Sequence, residues 1–307
     1  MTRSRPIALP VASSTEGQTR RPDLARAPSV TGKSTSVTSH RSRGGRVGRR
    51  SVEQVRQGLS SRDLAILASV ARHRFLTTRH VESLHFADHA TSISSARSAR
   101  RVLRRLGEVG VLNHLERRIG GVRAGSAGFI WTVGPFGVRI HGNGSAARWR
   151  RYEPSLRLLQ HYLAIADVHV NIVAATRHEP IELLSLELEP NSWRRFLGLS
   201  GEPRLLRPDL MAVTSTGLFE DHWFLEVDLG TEHPPTVVEK CRLYVDYANS
   251  GEEQERLGVF PRVVWIVLDD TRRRRLQTAL QRAHLDDQLF RVVTAENLLD
   301  ILTGGAT

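Results

Sequence analysis

The run "RVVWIVL", residues 262–268, is apolar at every position after its arginine and shows no alternation. A strand of that kind gives up water on both faces, so it belongs inside a sheet that is covered on both sides. The surrounding chain supplies what such a sheet needs. "IELLSLELE", "LRPDLMAVT" and "WFLEVDLG" read as strands divided by turns, after a long amphipathic helix, "SLRLLQHYLAIADVHVNIVAATRH". A helix is expected from Thr236, where "TVVE" offers a capping box with Thr236 at N-cap and Glu239 at N3. It should stop near "NSG" at 249–251. "DDTRRRRLQTALQRAH" is a last surface helix before the strand "LFRVVT". The order αβββαβ with an added αβ unit predicts an α+β or α/β class, a mixed sheet flanked by helices.

"WFLEVDLG" places Glu226 and Asp228 in an apolar strand, where carboxylates take no part in the ladder and resist burial. With Pro208-Asp209 on the preceding strand, the arrangement resembles the PD-(D/E)xK nuclease superfamily. That resemblance implies catalytic positions at Asp209, Glu226, Asp228, Lys240 and Tyr244, with Asp209 and Glu226 holding Mg2+ or Mn2+, hard ions that prefer carboxylate oxygen. The superfamily's lysine, two residues after the glutamate, is replaced here by Asp228. Lys240 and Tyr244, one helical turn apart with Tyr247 beyond them, resemble the Gln-x-x-x-Tyr helix of the exonuclease-like branch, with Lys in place of Gln. Lys240 is then expected beside the attacking water, with Asp228 as an extra ligand or as the acceptor that fixes Lys240. The plainer alternative pairs Lys240 with Asp228 or Glu232 and stiffens the loop.

Charge separates the chain into parts. Residues 1–50 carry 11 Lys/Arg against 2 Asp/Glu, residues 51–153 carry 17 against 7, and residues 154–307 carry 16 against 23. A polyanion-binding front half and a back half that repels nucleic acid follow from that asymmetry. Residues 1–50 lack any sustained hydrophobic period and read as a disordered basic tail, either a solubilising leader or a nucleic-acid tether. From Leu59 the period becomes helical: "LSSRDLAILASVARHRF", "TTRHVESLHF" and "TSISSARSARRVLRRLGEVG". Two β-like runs follow, "VLNHLERRI" and "GFIWTV", joined by "GGVRAGSAG".

That layout resembles winged-helix DNA-binding domains, with the domain set at 51–140, a linker at 141–154, and the nuclease-like domain at 155–307. In the third helix Arg97, Arg100, Arg101, Arg104 and Arg105 share one face, and Ala96, Ala99, Val102, Leu103 and Leu106 share the other. A helix apolar behind and arginine-rich in front suits docking on double-stranded DNA. A solvated face usually mixes signs, and no acid interrupts this one before Glu108. Arg117, Arg118 and Arg123 in the expected wing add phosphate contacts.

"LAIADVHV", "RPDL", "FLEVDLGTE" and "KCRLYVDY" together look like the replication-relaxation family of plasmids and integrative elements, over about residues 59–270. The resemblance implies a mobile-element protein of DNA replication and relaxation, with metal-dependent nicking as one reading. The rival is a transcriptional or copy-number regulator whose nuclease-like domain is inactive and mediates assembly. A homodimer is left open.

The remaining features are weaker. The single cysteine, Cys241, excludes an internal disulfide framework and fits a reducing interior. No apolar run approaches the ~18 to 20 residues of a membrane span, and the N-terminus lacks a signal-peptide core, so a cytoplasmic protein without membrane partners is expected. Trp193-Arg194-Arg195 reads as a loop anchor, or else as a stacking and phosphate-contact element. "TRRRR" at 271–275 reads as an ion-paired surface, and His161 and His169 show no metal spacing.

Overall fold

The computed structural model describes residues 49–88, 91–115, 128–142, 154–198, 200–217 and 219–304. The expected tail up to residue 48, and the loop bearing Arg117, Arg118 and Arg123, lie outside the described residues.

The described chain opens with α1 (Arg49–Gln57), two residues inside the stretch expected as tail. Its apolar stripe is only Val52 and Val55, too thin to announce a helix. α2 (Ser61–His73) starts at the expected serine. Ser60 Oγ accepts from the Asp63 N–H, and the Asp63 carboxylate accepts from the Ser60 N–H, so two otherwise orphaned donors are satisfied. β1 (Leu76–Thr77) leads into α3 (Thr78–His85), and α4 (Ser92–Glu108) is capped by Thr91. β2 (Leu112–Leu115) and β3 (Ile130–Val133) pair antiparallel as the two β-like runs suggested, and β1 takes the other edge of β3. α5 (Pro135–His141) follows, unannounced in the sequence. Ala99, Leu103 and Leu106 turn inward from α4 to meet Ile66, Leu67, Val70 and Val81, which builds the first core.

The second half runs α6 (Leu156–Ala175), β4 (Glu182–Leu188), β5 (Arg194–Leu197), β6 (Pro203–Leu206), β7 (Leu210–Ser215), β8 (Glu220–Asp228) and α7 (Pro234–Ser250). It ends with α8 (Glu252–Leu257), β9 (Arg262–Val267), α9 (Asp270–Arg282), β10 (Phe290–Thr294) and α10 (Leu298–Leu302). The main sheet has five strands in the order β10–β9–β8–β7–β4. β4, β7 and β8 are antiparallel neighbours, and β8, β9 and β10 are parallel. Val264 and Ile266 of β9 face the core built with α6 and α10, while Val263, Trp265 and Val267 face α7 and α9. Both faces of β9 are dry, as its unbroken apolar run requires. The chain is a mixed α/β fold.

Several expectations need correction. α7 begins at Pro234, N-capped by His233 without a side-chain bond, so Thr236 is inside the helix. Pro234 and Pro235 fill its first turn, where a missing N–H is harmless, and that outweighs the Thr236–Glu239 box. The end falls where "NSG" placed it: Gly251 caps α7 at φ +76°, a conformation glycine adopts without penalty. Arg194 and Arg195 lie in β5, which pairs with β6, rather than in a loop. Arg194 is spent on buried Glu253 at 3.1 Å and Glu187 at 3.0 Å, so it is a clamp, while Arg195 stays exposed.

α6 serves both halves. Leu159, Tyr162 and Ala166 pack on residues of the first half, and Ile165, Val168 and Ile172 pack into the sheet core. Full burial of Leu159 or Ile172 contributes about 1.5–3 kcal/mol each. Polar contacts follow the same seam: His73 Nε2 meets His169 Nδ1 at 2.8 Å, and His80 Nε2 meets Asp167 Oδ1 at 2.8 Å. By length and composition α6 is apolar enough to cross a bilayer, contrary to the expectation that no segment is. Its two apolar flanks are here used between two protein cores.

Candidate functional site

Asp209 stands one residue before β7, not within it, and Leu210 of β7 pairs with Leu225 of β8. That register sets Asp209 beside Glu226. Asp209 Oδ2 accepts the Val227 N–H at 2.7 Å, and Oδ1 meets His161 Nε2 of α6 at 3.1 Å. Glu226 Oε2 accepts from Lys240 Nζ at 2.6 Å, and Oε1 accepts from the Tyr244 hydroxyl at 2.5 Å. Lys240 and Tyr244 are one turn apart on α7, as their spacing requires. The four carboxylate oxygens thus each have a partner within the chain.

Asp228 behaves otherwise. Its Oδ2 accepts from Arg272 Nε at 2.6 Å, and its Oδ1 accepts from the Gly230 N–H at 2.8 Å. Arg272 also donates to the Glu232 carbonyl at 2.7 Å, which ties the loop after β8 to α9. Gly230 turns that loop at φ +72°. The expectation that Asp228 fixes Lys240, and the alternative that Lys240 pairs with Asp228 or Glu232, both give way to a direct Lys240–Glu226 contact. The arginine of "TRRRR" that is buried, Arg272, takes Asp228 for itself.

His161, Asp209, Glu226, Asp228 and Lys240 line a pocket of about 250 Å³ that also includes Arg157, Thr231 and Trp265. The Lys240 side chain is 28 % exposed, so its ammonium reaches the pocket while Glu226 behind it is buried. Burial pushes Glu226 up to about 7, against the pull of the Lys240 ammonium. Burial alone would lower Lys240, but the Glu226 and Asp209 carboxylates hold it above its ordinary value, so it stays protonated. Asp209 is lowered: burial opposes the shift, and the hydrogen bond from His161 and the Lys240 charge prevail. His161 is raised in turn, because Asp209 outweighs the effect of burial on the imidazole.

Elsewhere, α4 presents Arg97, Arg100, Arg101, Arg104 and Arg105, all exposed. At about 100° per residue they cover an arc of about 140°. One edge of the arc is committed: Arg105 Nη2 meets Asp63 Oδ1 at 2.6 Å, joining α4 to the cap of α2. On the opposite edge Arg100 and Arg104 border a groove beside the β2–β3 hairpin. Among the described residues, Arg97, Arg100, Arg101 and Arg104 form no ion pair with an acid.

The replication-relaxation family model matches residues 67–263, from the middle of α2 to the start of β9. The chain belongs to the replication-relaxation family. A search of curated proteins and a search of solved structures returned no match. The family match runs through the arginine helix, α6 and the carboxylate pair, so the site residues other than Trp265 and Arg272 lie within it. Membership links this replication-relaxation protein to a DNA-associated role.

His161 is the site residue that sequence reasoning passed over. Its partner is 48 residues away, so no local spacing reports the contact. The available signal was its place on the polar edge of a helix leading into the strands. Among the described residues no three His, Cys, Asp or Glu side chains converge to hold a metal ion. Asp209 and Glu226 fit Mg2+ or Mn2+ as a minimal pair, since such ions take their remaining ligands from water and phosphate.

Proposed function

We propose that this replication-relaxation protein binds double-stranded DNA through a winged-helix lobe centred on α4 and nicks it at a PD-(D/E)xK-like pocket, acting in the cytoplasm. The observation that carries the reading is the Lys240 ammonium held 2.6 Å from Glu226, with Asp209 just ahead of the adjoining strand β7. A lysine absent from its usual strand position is supplied by α7. Arg97, Arg100, Arg101 and Arg104, which have no acidic partner among the described residues, support the DNA grip, because such cations are available to phosphates and guanine edges.

Each residue has a role set by its environment. Protonated Lys240 donates hydrogen bonds and orients the attacking water; it does not take a proton. His161 holds Asp209 in place, and Tyr244 fixes the rotamer of Glu226. Asp209 and Glu226 would hold Mg2+ or Mn2+, which when bound supplies positive charge at the phosphate and an acidified water. Arg157 at the mouth of the pocket is placed to meet a phosphate oxygen.

The regulator reading is favoured by one feature, the complete internal pairing of all four carboxylate oxygens. Conversion of supercoiled plasmid to open circles in Mg2+ or Mn2+ decides between them. Nicking by the wild type, lost in Asp209→Ala with DNA affinity retained, supports the enzyme. DNA binding without nicking in either metal supports the regulator.

A further inference from the structure

We propose that the groove between α4 and the β2–β3 hairpin receives an unpaired nucleobase. This inference rests on the DNA-binding reading of α4 and adds the form of DNA that is preferred. The groove encloses about 1340 Å³ and is bounded by α3, α4, β2, β3 and α6. Its wall carries three rings. Phe129 is 55 % exposed, its ring centre lies 4.8 Å from that of His114, and the Trp131 ring lies 5.9 Å away. Trp131 is buried and donates from Nε1 to Thr78 Oγ1 at 3.0 Å, so a fixed indole backs the exposed phenyl. An exposed phenyl backed by two further rings beside a cationic helix is poor use of apolar surface in a fold and a good platform for base stacking.

Charge narrows the ligand further. Arg79, Arg100 and Arg104 stand on the rim, but Glu82, Glu108 and Asp167 also line the groove, and Asp167 is paired with His80. A near-balanced groove does not attract a run of phosphates as a one-signed channel does. It suits one base laid on the rings with its own phosphate at Arg100 and Arg104. Position along α6 adds a reason for such a site. Leu163 and Asp167 of α6 line the groove, whereas Arg157, Leu158 and His161 line the carboxylate pocket. The two sites are on different flanks of one helix, whose width is about 10 Å. A strand parted at the groove would rest on the same helix that lines the carboxylate pocket.

Fluorescence anisotropy of the full chain tests this with a labelled duplex and with the same duplex carrying a short central bubble that contains 2-aminopurine. The wild type is expected to bind the bubble about tenfold more tightly and to change the 2-aminopurine emission, the effect of one stacked base. Phe129→Ala should erase that preference while leaving duplex affinity within about twofold, and Phe129→Tyr should keep it. Arg101→Ala, on α4 but outside the groove, should weaken both DNAs alike. Equal affinity of the wild type for the two DNAs, or an equal loss on both in Phe129→Ala, overturns the base site and leaves the DNA-binding reading standing. Absence of binding to either DNA overturns both.

Discussion

The ammonium of Lys240 lies 2.6 Å from Glu226 Oε2, across the turn that joins β8 to α7. Removing either partner has unequal consequences. Glu226 is buried and would be left without its cation, whereas Lys240 retains access to solvent. The carboxylate is therefore the member whose protonation the fold controls.

That control is visible in stability against pH. Glu226 has its folded pKa at about 7 against an ordinary 4.5. Between those values the folded chain keeps a proton that the unfolded chain has released. The stability so contributed is complete below about pH 4.5 and is lost as pH rises to about 7. Glu226→Gln stays neutral throughout, so its melting temperature should gain on the wild type from pH 5 to pH 8. A gain of at least about 2–4 °C is expected, the shift that about 1 kcal/mol produces in a chain of this size. Thermal melts at four pH values check it, and a constant difference between the two proteins would remove Glu226 as the titrating group.

Arg272 and Asp228 form the second buried pair, and its work is to hold the loop after β8. Arg272→Met should cost about 3–5 kcal/mol, because it leaves Asp228 buried without a cation. Asp228→Asn in the same chain should recover most of the loss. Asp228→Lys, which restores the superfamily's residue order, places an ammonium against Arg272 and should lower the melting temperature without raising nicking. Calorimetry of the four proteins reads the stabilities, and plasmid nicking by Asp228→Lys reads its activity. A stable and more active Asp228→Lys protein would mean that the strand position still serves the pocket.

The sheet, the arginine helix and the carboxylate pair were legible because each depends on local pattern: the run at 262–268, the arginine spacing from Arg97 to Arg105, and Glu226 in an apolar strand. Thr236 misled because capping-box spacing and a Pro-Pro start compete for the same turn, and the prolines lie earlier. β5 and β6 were missed because Arg194 and Arg195 look like loop residues until Glu253 is found beside Arg194. His161–Asp209 and Arg272–Asp228 are tertiary pairs, 48 and 44 residues apart, and sequence periodicity carries no record of them. Asp228 was assigned to Lys240 for the same reason.

The arginines of α4 separate into two kinds that one set of variants can distinguish. Arg100, Arg101 and Arg104 have no acidic partner among the described residues, so Arg→Ala at all three should leave the melting temperature nearly unchanged. Duplex affinity should fall, and the slope of log affinity against log salt should flatten by about one for each lost phosphate contact. Arg105→Ala should behave the other way. It strips buried Asp63 of its cation and should cost about 1–2 kcal/mol of stability with a smaller effect on the salt slope. Anisotropy titrations at three salt concentrations, with melts alongside, give both numbers. Equal slopes for the wild type and the triple variant would place the DNA contact elsewhere.

Lys240 also sets the relation between cation binding and catalysis in the pocket. Its charge stands on Glu226, one of the two carboxylates that fit Mg2+ or Mn2+, so ammonium and metal ion repel each other there. Two unit charges about 4 Å apart interact by about 4 kcal/mol at an effective dielectric of about 20. Water and pairing reduce that figure, and about tenfold in affinity is a sound expectation of what remains. Lys240→Met should therefore tighten Mn2+ binding once Glu226 is ionised, which without the ammonium requires a pH further above 7, while slowing nicking because the attacking water loses its donor. Lys240→Arg should restore the charge and weaken Mn2+ again. Titration calorimetry with Mn2+ reads the affinity without reference to activity, and Asp209→Asn provides the baseline with the carboxylate pair broken. Weaker Mn2+ binding in Lys240→Met would show that the lysine supports the cation rather than competing with it. The pocket's carboxylates would then have to turn away from α7 when the ion arrives.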